Sequence, residues 1–346
     1  MDLVQLQRDP NTALMPHFTA RIDQQDLDRL AEIHRARVAP KTWLARQSDL
    51  RQWLVWCQAH GVNSKAPTAA DICLWLSHMA TDNALNRLKY NSQTDESELY
   101  RGSALAVRSI RRRYTSAKWF FDQIVPHNNP ARDPIVAQQL AGIARLLPSK
   151  PKRAAGLQAQ WLTPLLQDFT EQSFVELRDK LVIALGFAGA MRVSDLASIQ
   201  IEHIQLYPQG AVIGFEQRKR RNEYSQLQIV AGRTPETCPL RLLERYLAQV
   251  GAHFGPLLRR ANRNGSPLAK PMHPTSIARI IQKRCGHLSA EIRGHSLRRG
   301  FIDSALSRGA PISEVMKVSG HKDPKTLMLY LDECGLFSNH PGAGLY

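Results

Sequence analysis

The stretch LLPSKPKRAAGLQ, residues 146–158, does most to limit what this chain can fold into. Pro148 and Pro151 each remove a backbone donor and turn the preceding residue away from helix, and Gly156 adds freedom. Lys150, Lys152 and Arg153 bring charge with almost nothing to bury. One continuous core cannot run through such a segment, so the 346 residues are expected as two bodies joined by a basic linker. The expected boundaries are a flexible tail over 1–20, a helical domain over 21–146, the linker over 147–158, and a second domain over 159–346 ending in a segment 331–346.

Before the linker, apolar residues recur at helical spacing. They do so over 23–33 and again over 41–61, where Trp43, Leu44, Leu50, Trp53, Leu54 and Cys57 share a face and Gly61 closes the helix. Residues 68–80 start at a Thr cap, and 103–124 form a longer helix. No strand pattern competes before residue 150, so this half is expected to be all helical. After the linker, helices are expected over 160–170, 175–190 and 193–199. Alternating and β-branched residues around a charged turn then predict an antiparallel hairpin or small sheet over 210–232. Three more helices follow, each ending at a glycine: 238–251, 274–286 and 295–309. The fold class is therefore mainly α with a small antiparallel β element. A composition with 43% hydrophobic residues and six tryptophans can supply cores for both bodies.

Lys plus Arg number 46 against 30 Asp plus Glu, a formal charge of +16, which is the electrostatic footprint of a nucleic-acid binder. The longest apolar run, LVIALGFAGAM at 181–191, is too short to span a bilayer and reads as a buried core helix, so no membrane partner is expected. The N-terminus has neither the basic start nor the apolar centre of a secretory signal, which points to the cytoplasm or nucleoid. Five cysteines at 57, 73, 238, 285 and 334 form no C-x-x-C pair, so neither a disulfide framework nor a metal site is expected. The helix over 103–124 carries Arg108, Arg111, Arg112, Arg113 and Lys118 beside Tyr114, Trp119 and Phe120. That pattern suits a helix anchored by its apolar side with its cations toward phosphates.

Neither a phosphate loop of the G-x-x-x-x-G-K-[ST] type nor a G-x-G-x-x-G fingerprint occurs, so nucleotide cofactors have no support and none is expected. The second half instead offers Arg192, His295 and Arg298 in HSLR, His321 in SGH, and Tyr330 nine residues further on. Each alone is an ordinary surface or packing residue. Together they fit the breaking of a phosphodiester. Guanidinium forks bind the non-bridging oxygens where charge grows, histidines add hydrogen bonds or move protons, and a phenol in a cationic pocket can serve as nucleophile. His295 and Arg298 stand three apart at a helix start and share a face. Gly320 permits a tight turn before His321, and Asp323 caps a new helix with Pro324 at its first position and Tyr330 about two turns along.

On these residues the C-terminal half, from about 160 to 333, resembles the catalytic domain of the tyrosine recombinases of the phage integrase family, in particular the two-domain, Cre-like kind. AMRVSDLASI supplies Arg192, Asp195 and Leu196, HSLRRGF supplies His295 and Arg298, and SGHKDPKTLMLY supplies His321 and Tyr330. Where the family more often has Glu, Asp195 has a shorter reach. The resemblance implies that Tyr330 attacks a DNA phosphate, leaving a 3′-phosphotyrosyl link and a 5′ hydroxyl. It also implies a lysine on the β-hairpin turn as proton donor. Lys219 is the one lysine on that turn, and Arg218, Arg220 and Arg221 around it are expected to hold DNA. Strand exchange through a Holliday junction, a homotetramer on two DNA sites with paired inverted half-sites, and a clamp of two domains and linker are implied in the same way. Leu336, Phe337, Leu345 and Tyr346 are candidate anchors into a neighbouring subunit.

Two other readings share some of these features. A type IB topoisomerase would use the same pocket to relax DNA without paired sites. A non-enzymatic helix-turn-helix regulator would read 313–332 as two helices around Gly320 and bind DNA without joining it.

Overall fold

In the computed structural model, which describes residues 38–91, 96–147, 154–216 and 224–331, the chain divides into two compact units, Met1–Pro151 and Lys152–Tyr346. The helix expected over 23–33 and the tail over 1–20 lie outside the described residues, as does the segment after residue 331.

The first unit is built on tryptophan. Helix α1 (Pro40–His60) buries Trp53, Trp56 and Cys57, and α2 (Ala69–Ala80) buries Ile72, Trp75, Leu76 and Met79. Trp53 meets Trp75 edge-on at 5.0 Å, and the Trp75 indole donates to Gln52 Oε1 at 2.8 Å, so the polar end of the ring is satisfied inside the core. The start of α2 is set by a reciprocal cap. Thr68 Oγ1 accepts from the Asp71 N–H while Asp71 Oδ2 accepts from the Thr68 N–H. Helix α3 (Val107–Ile124) inserts Ile110, Phe120 and Phe121, and α4 (Pro134–Leu146) completes the layer with Val136 and Ile143. Each fully buried Leu, Ile or Phe of such a core contributes about 1.5–3 kcal/mol.

This unit is not all helical. Strands β1 (Ala84–Asn91) and β2 (Glu96–Gly102) pair as an antiparallel hairpin between α2 and α3. The register shifts between Leu85 and Arg87, and that bulge turns Asn86 fully inward. There its amide donates to the carbonyls of Thr81, at 3.0 Å, and Gly102, at 3.2 Å. A bulge resets the two-residue period, so Leu85 and Leu88 do not alternate in the way a strand is recognised.

In the second unit, residues 154–158 lead into α5 (Ala159–Gln167). They belong to this unit, with Leu157 fully buried although the stretch reads in sequence as having almost nothing to bury. The apolar run fills the second half of α6 (Phe174–Ala188), which is covered along most of its length, and continues into the turn after it. No described helix is long and apolar enough to cross a membrane. A four-residue helix α7 (Val193–Leu196) leads into a three-stranded antiparallel sheet, β3 (Ile204–Tyr207), β4 (Gly210–Glu216) and β5 (Tyr224–Val230), in that order. Its inward residues Ala211, Ile213, Leu227 and Ile229 join the core of α6 and α8 (Pro239–Val250). A second hairpin, β6 (Arg259–Ala261) with β7 (Pro267–Pro271), has only two aligned pairs and a shifted register, too short for a readable period. Helices α9 (Pro274–Cys285), α10 (Ser296–Ser307), α11 (Ile312–Ser319) and α12 (Pro324–Leu331) follow. Of these, α10 to α12 share a small cluster of their own, Ile302, Leu306, Val315 and Leu327, against which Tyr330 packs.

Candidate active site

Three chain segments, each ending or starting a helix, converge in the second unit. The first follows α6. Ala190 takes a left-handed conformation at φ 46°, uncommon for a residue with a Cβ, and sits fully buried. The reversal starts α7, with Arg192 at its N-cap and Asp195 in its first turn. Arg192 Nη1 lies 3.4 Å from Asp195 Oδ2, and the Ser194 hydroxyl donates to Oδ1 at 3.2 Å. Asp195 is buried, so its carboxylate orients Arg192 from beneath and leaves the guanidinium partly open.

The second segment is α10. His295 holds its N-cap position and is exposed, and Arg298, one turn on, is buried with 6% of its surface exposed. Arg298 Nη1 donates to the carbonyls of Ala190, at 2.8 Å, and Ser319. These bonds tie α10 to the other two segments. The left-handed turn at Ala190 is what presents one of these carbonyls.

The third segment closes α11. Gly320, at φ 65°, ends the helix with its N–H on Met316 O, a conformation that favours glycine. His321 follows at once. Arg298 Nη2 lies 3.0 and 3.3 Å from its two ring nitrogens, hence over the imidazole rather than in line with one lone pair, and the Ser319 hydroxyl pairs with Nδ1 at 2.8 Å. Asp323 Oδ1 then accepts from the Lys325 N–H at 2.9 Å and starts α12. That helix places the Tyr330 ring 6.3 Å from the His321 ring, centroid to centroid.

Two groups have their ionisation moved by this packing. Burial, with the Arg192 charge adding to it, lowers Arg298 to about 10, against the opposing influence of Tyr330 and Asp195; the guanidinium remains charged at neutral pH. Burial and the charges of Arg298 and Arg192 lower His321 to about 4, so its imidazole is neutral at neutral pH. A neutral ring keeps one N–H, which can donate to an oxyanion, and adds no positive charge of its own beside the two guanidinium groups. The whole arrangement suits a tetrahedral oxyanion within reach of a phenol.

Arg192, Asp195, Arg298, His321 and Tyr330 are thus brought together, and His295 stands at the start of the same helix as Arg298. Lys219, Arg218, Arg220 and Arg221, between β4 and β5 in sequence, fall outside the described residues, as do Lys150, Lys152 and Arg153. On α3, Arg108 and Arg111 are exposed and Arg112 half exposed, but Arg112 Nη2 is held by buried Asp49 at 2.7 Å. Lys118 is half-buried. Arg113, expected to face phosphates with the others, turns inward. Its guanidinium lies 3.7 Å from Asp49 and donates to Asn86 O at 3.3 Å, because the buried carboxylate and the bulged hairpin draw a cation to themselves.

Sequence reasoning missed Ser319, which holds the His321 ring, since a serine before a helix-ending glycine carries no signal of its own. It also passed over a cationic surface. No Asp or Glu occurs between Glu244 and Glu291, and Arg260, Arg263, Lys270, Arg279 and Lys283 in that interval are all exposed, on the β6–β7 hairpin and α9. The acid-free run was the available signal.

Residues 160–334 match the profile of the phage integrase family. An integrase/recombinase xerD homolog of Selenomonas ruminantium is 28% identical over 310 residues, 87% of this chain and 84% of that protein. Tyrosine recombinase XerD of Listeria monocytogenes is 25% identical over 238 residues, 65% of this chain and 71% of its own length. Among solved structures, the Tn1549 transposon integrase with a circular-intermediate DNA aligns over 86% of this chain and 91% of its own at TM-score 0.55 and 14% identity. A lambda integrase dimer on a core site aligns over 89% and 95% at TM-score 0.54 and 14% identity. These two structural matches bear on the fold alone.

Proposed function

Because the chain belongs to the phage integrase family and is therefore a tyrosine recombinase, a strand-transferring enzyme of site-specific DNA recombination, we propose that Tyr330 is its nucleophile and the pocket around it the catalytic site. The observation that carries this is the convergence of Arg192, Arg298 and His321 near the Tyr330 ring. Tyr330 Oη attacks phosphorus, its proton passing to a pocket histidine, and the bond to the 5′ oxygen breaks. The strand is left joined through a 3′-phosphotyrosyl link, while the departing 5′ oxygen takes a proton from Lys219. Arg192 and Arg298 hold the non-bridging oxygens, His295 and His321 add hydrogen bonds, and Asp195 steadies Arg192. One phosphodiester is exchanged for another, so the step is near isoenergetic and the 5′ hydroxyl of a partner duplex reverses it.

Two such exchanges pass through a Holliday junction, in a homotetramer on paired inverted half-sites. Residues 21–146 act as a core-binding domain and 159–346 as the catalytic domain. Arg108, Arg111, Arg112 and Lys118, with the basic segments around 150–153 and 218–221, contact DNA backbone; the exposed cations of β6–β7 and α9 join them. A nicked suicide substrate followed by a denaturing gel tests the reading. Wild type gives a covalent protein–DNA band and Tyr330→Phe gives none while binding the same DNA; a band in the variant places the nucleophile elsewhere.

A further inference from the structure

We propose that Arg299, the residue after the pocket arginine, is a positioning residue that ties the Tyr330 ring to the segment by which the chain enters the catalytic unit. The proposal rests on Tyr330 as nucleophile. Arg299 Cζ stands 5.7 Å from the centroid of the Tyr330 ring, within the range of a cation over an aromatic face. The same guanidinium reaches Asp303 Oδ2 at 3.4 Å and donates from Nη1 to the Ala154 carbonyl at 3.1 Å. One planar fork therefore touches α10, the entering segment and the phenol at once.

The entering segment is held hard against α10. Ala155 N–H donates to Glu291 O at 3.1 Å, Leu157 N–H to Ser296 O at 2.9 Å, and Ala159 N–H to the Ser304 hydroxyl at 3.1 Å. Close approach is possible because Gly300 has no side chain: a Cβ there would fall 1.8 Å from Leu157 O. On the other side, a Cβ at Gly156 would fall 2.6 Å from the Asp303 carboxylate that holds Arg299, and 3.1 Å from the Gly300 nitrogen. Displacement of residues 154–158 therefore moves Asp303 and Ala154 O, two of the groups that hold Arg299. Tyr330 sits on a helix of only eight residues, Pro324–Leu331, and Arg299 is a cation bearing on its ring from another element. The position of the entering segment is thereby read out at the nucleophile.

Single-turnover covalent attachment to a half-site suicide substrate tests this, with Arg299→Gln, Gly156→Ala, their double variant and Tyr330→Phe run together. A misplaced nucleophile lowers the rate constant, whereas a misfolded fraction lowers the amplitude. Arg299→Gln is expected to slow attachment on the order of 10-fold at unchanged amplitude and half-site affinity. Gly156→Ala is expected to slow it similarly, and the double variant to be no slower than the slower single, because both act through one linkage. If Gly156→Ala fails to bind DNA, Asp303→Asn takes its place in the cycle. A wild-type rate in Arg299→Gln, or multiplied effects in the double variant, overturns the proposal and leaves Tyr330 as nucleophile untouched. A covalent band in Tyr330→Phe overturns that reading and this one with it.

Discussion

Arg298 is held where a charge is costly, and the chain keeps it there for a reason that a single substitution can separate from folding. Its fall to about 10 from the ordinary guanidinium range corresponds to about 3 kcal/mol against the charged form. Replacement by methionine, similar in length and apolar, removes that penalty but leaves the Ala190 and Ser319 carbonyls without their donor, at about 1–3 kcal/mol each. The opposing amounts nearly cancel. Arg298→Met should therefore unfold within about 3 kcal/mol of wild type, as replacements of buried ionic groups by apolar ones often do. Arg298→Ala, which also empties the volume, should lose about 2 kcal/mol more. On the proposed role of Arg298, cleavage should fall by about 10²-fold or more in both, since that donor to the phosphate is gone. Denaturant titration followed beside single-turnover cleavage on a suicide substrate reads the two quantities separately. Wild-type cleavage by Arg298→Met would refute the placement of the guanidinium on the phosphate. A loss of stability well above about 4 kcal/mol would instead make Arg298 a structural strut, and the cancellation argued here would be wrong.

Two further outcomes are expected. Arg108→Gln with Arg111→Gln should weaken binding to every DNA sequence and lower the slope of log affinity against log salt by about 0.9 for each phosphate left without its cation, whereas Arg113→Gln should leave the slope and cost about 1–3 kcal/mol of stability; filter binding across a salt series with a parallel melt distinguishes them. His321, at about 4 in the folded chain and about 6.5 unfolded, binds its proton more readily when unfolded, so stability should fall as pH drops from 6.5 to 4 and should owe no pH dependence to this residue above that window. An NMR titration of the His321 ring in the free protein, with a midpoint well below 6.5, checks the premise, and a midpoint at 6.5 or above sinks it.

Much of the catalytic unit could be read along the chain because its signals are local. A helix-ending glycine, an Asp-Pro start and a fixed run to Tyr330 need only neighbouring residues, and the apolar run of α6 announces its burial by composition. The β1–β2 hairpin was illegible because a bulge at Asn86 breaks the period on which strands are recognised, and β6–β7 because its pairing is too short to establish one. Arg113 shows the same limit on a helix. Three consecutive arginines look alike in sequence, and only tertiary packing, which sets the buried Asp49 of α1 and the Asn86 carbonyl of the bulged hairpin beside Arg113, decides which of them turns inward.

The sequence by itself determined which residues are available for the proposed chemistry and in what order they occur. It could not determine that Arg298 bonds a carbonyl 108 residues away, that this carbonyl is presented by a left-handed alanine, or that the imidazole beside it is neutral. Those depend on burial and on charges contributed by separate segments, and desolvation and Coulomb energies are set by distances in space, which come into being only when α6, α10 and α11 pack.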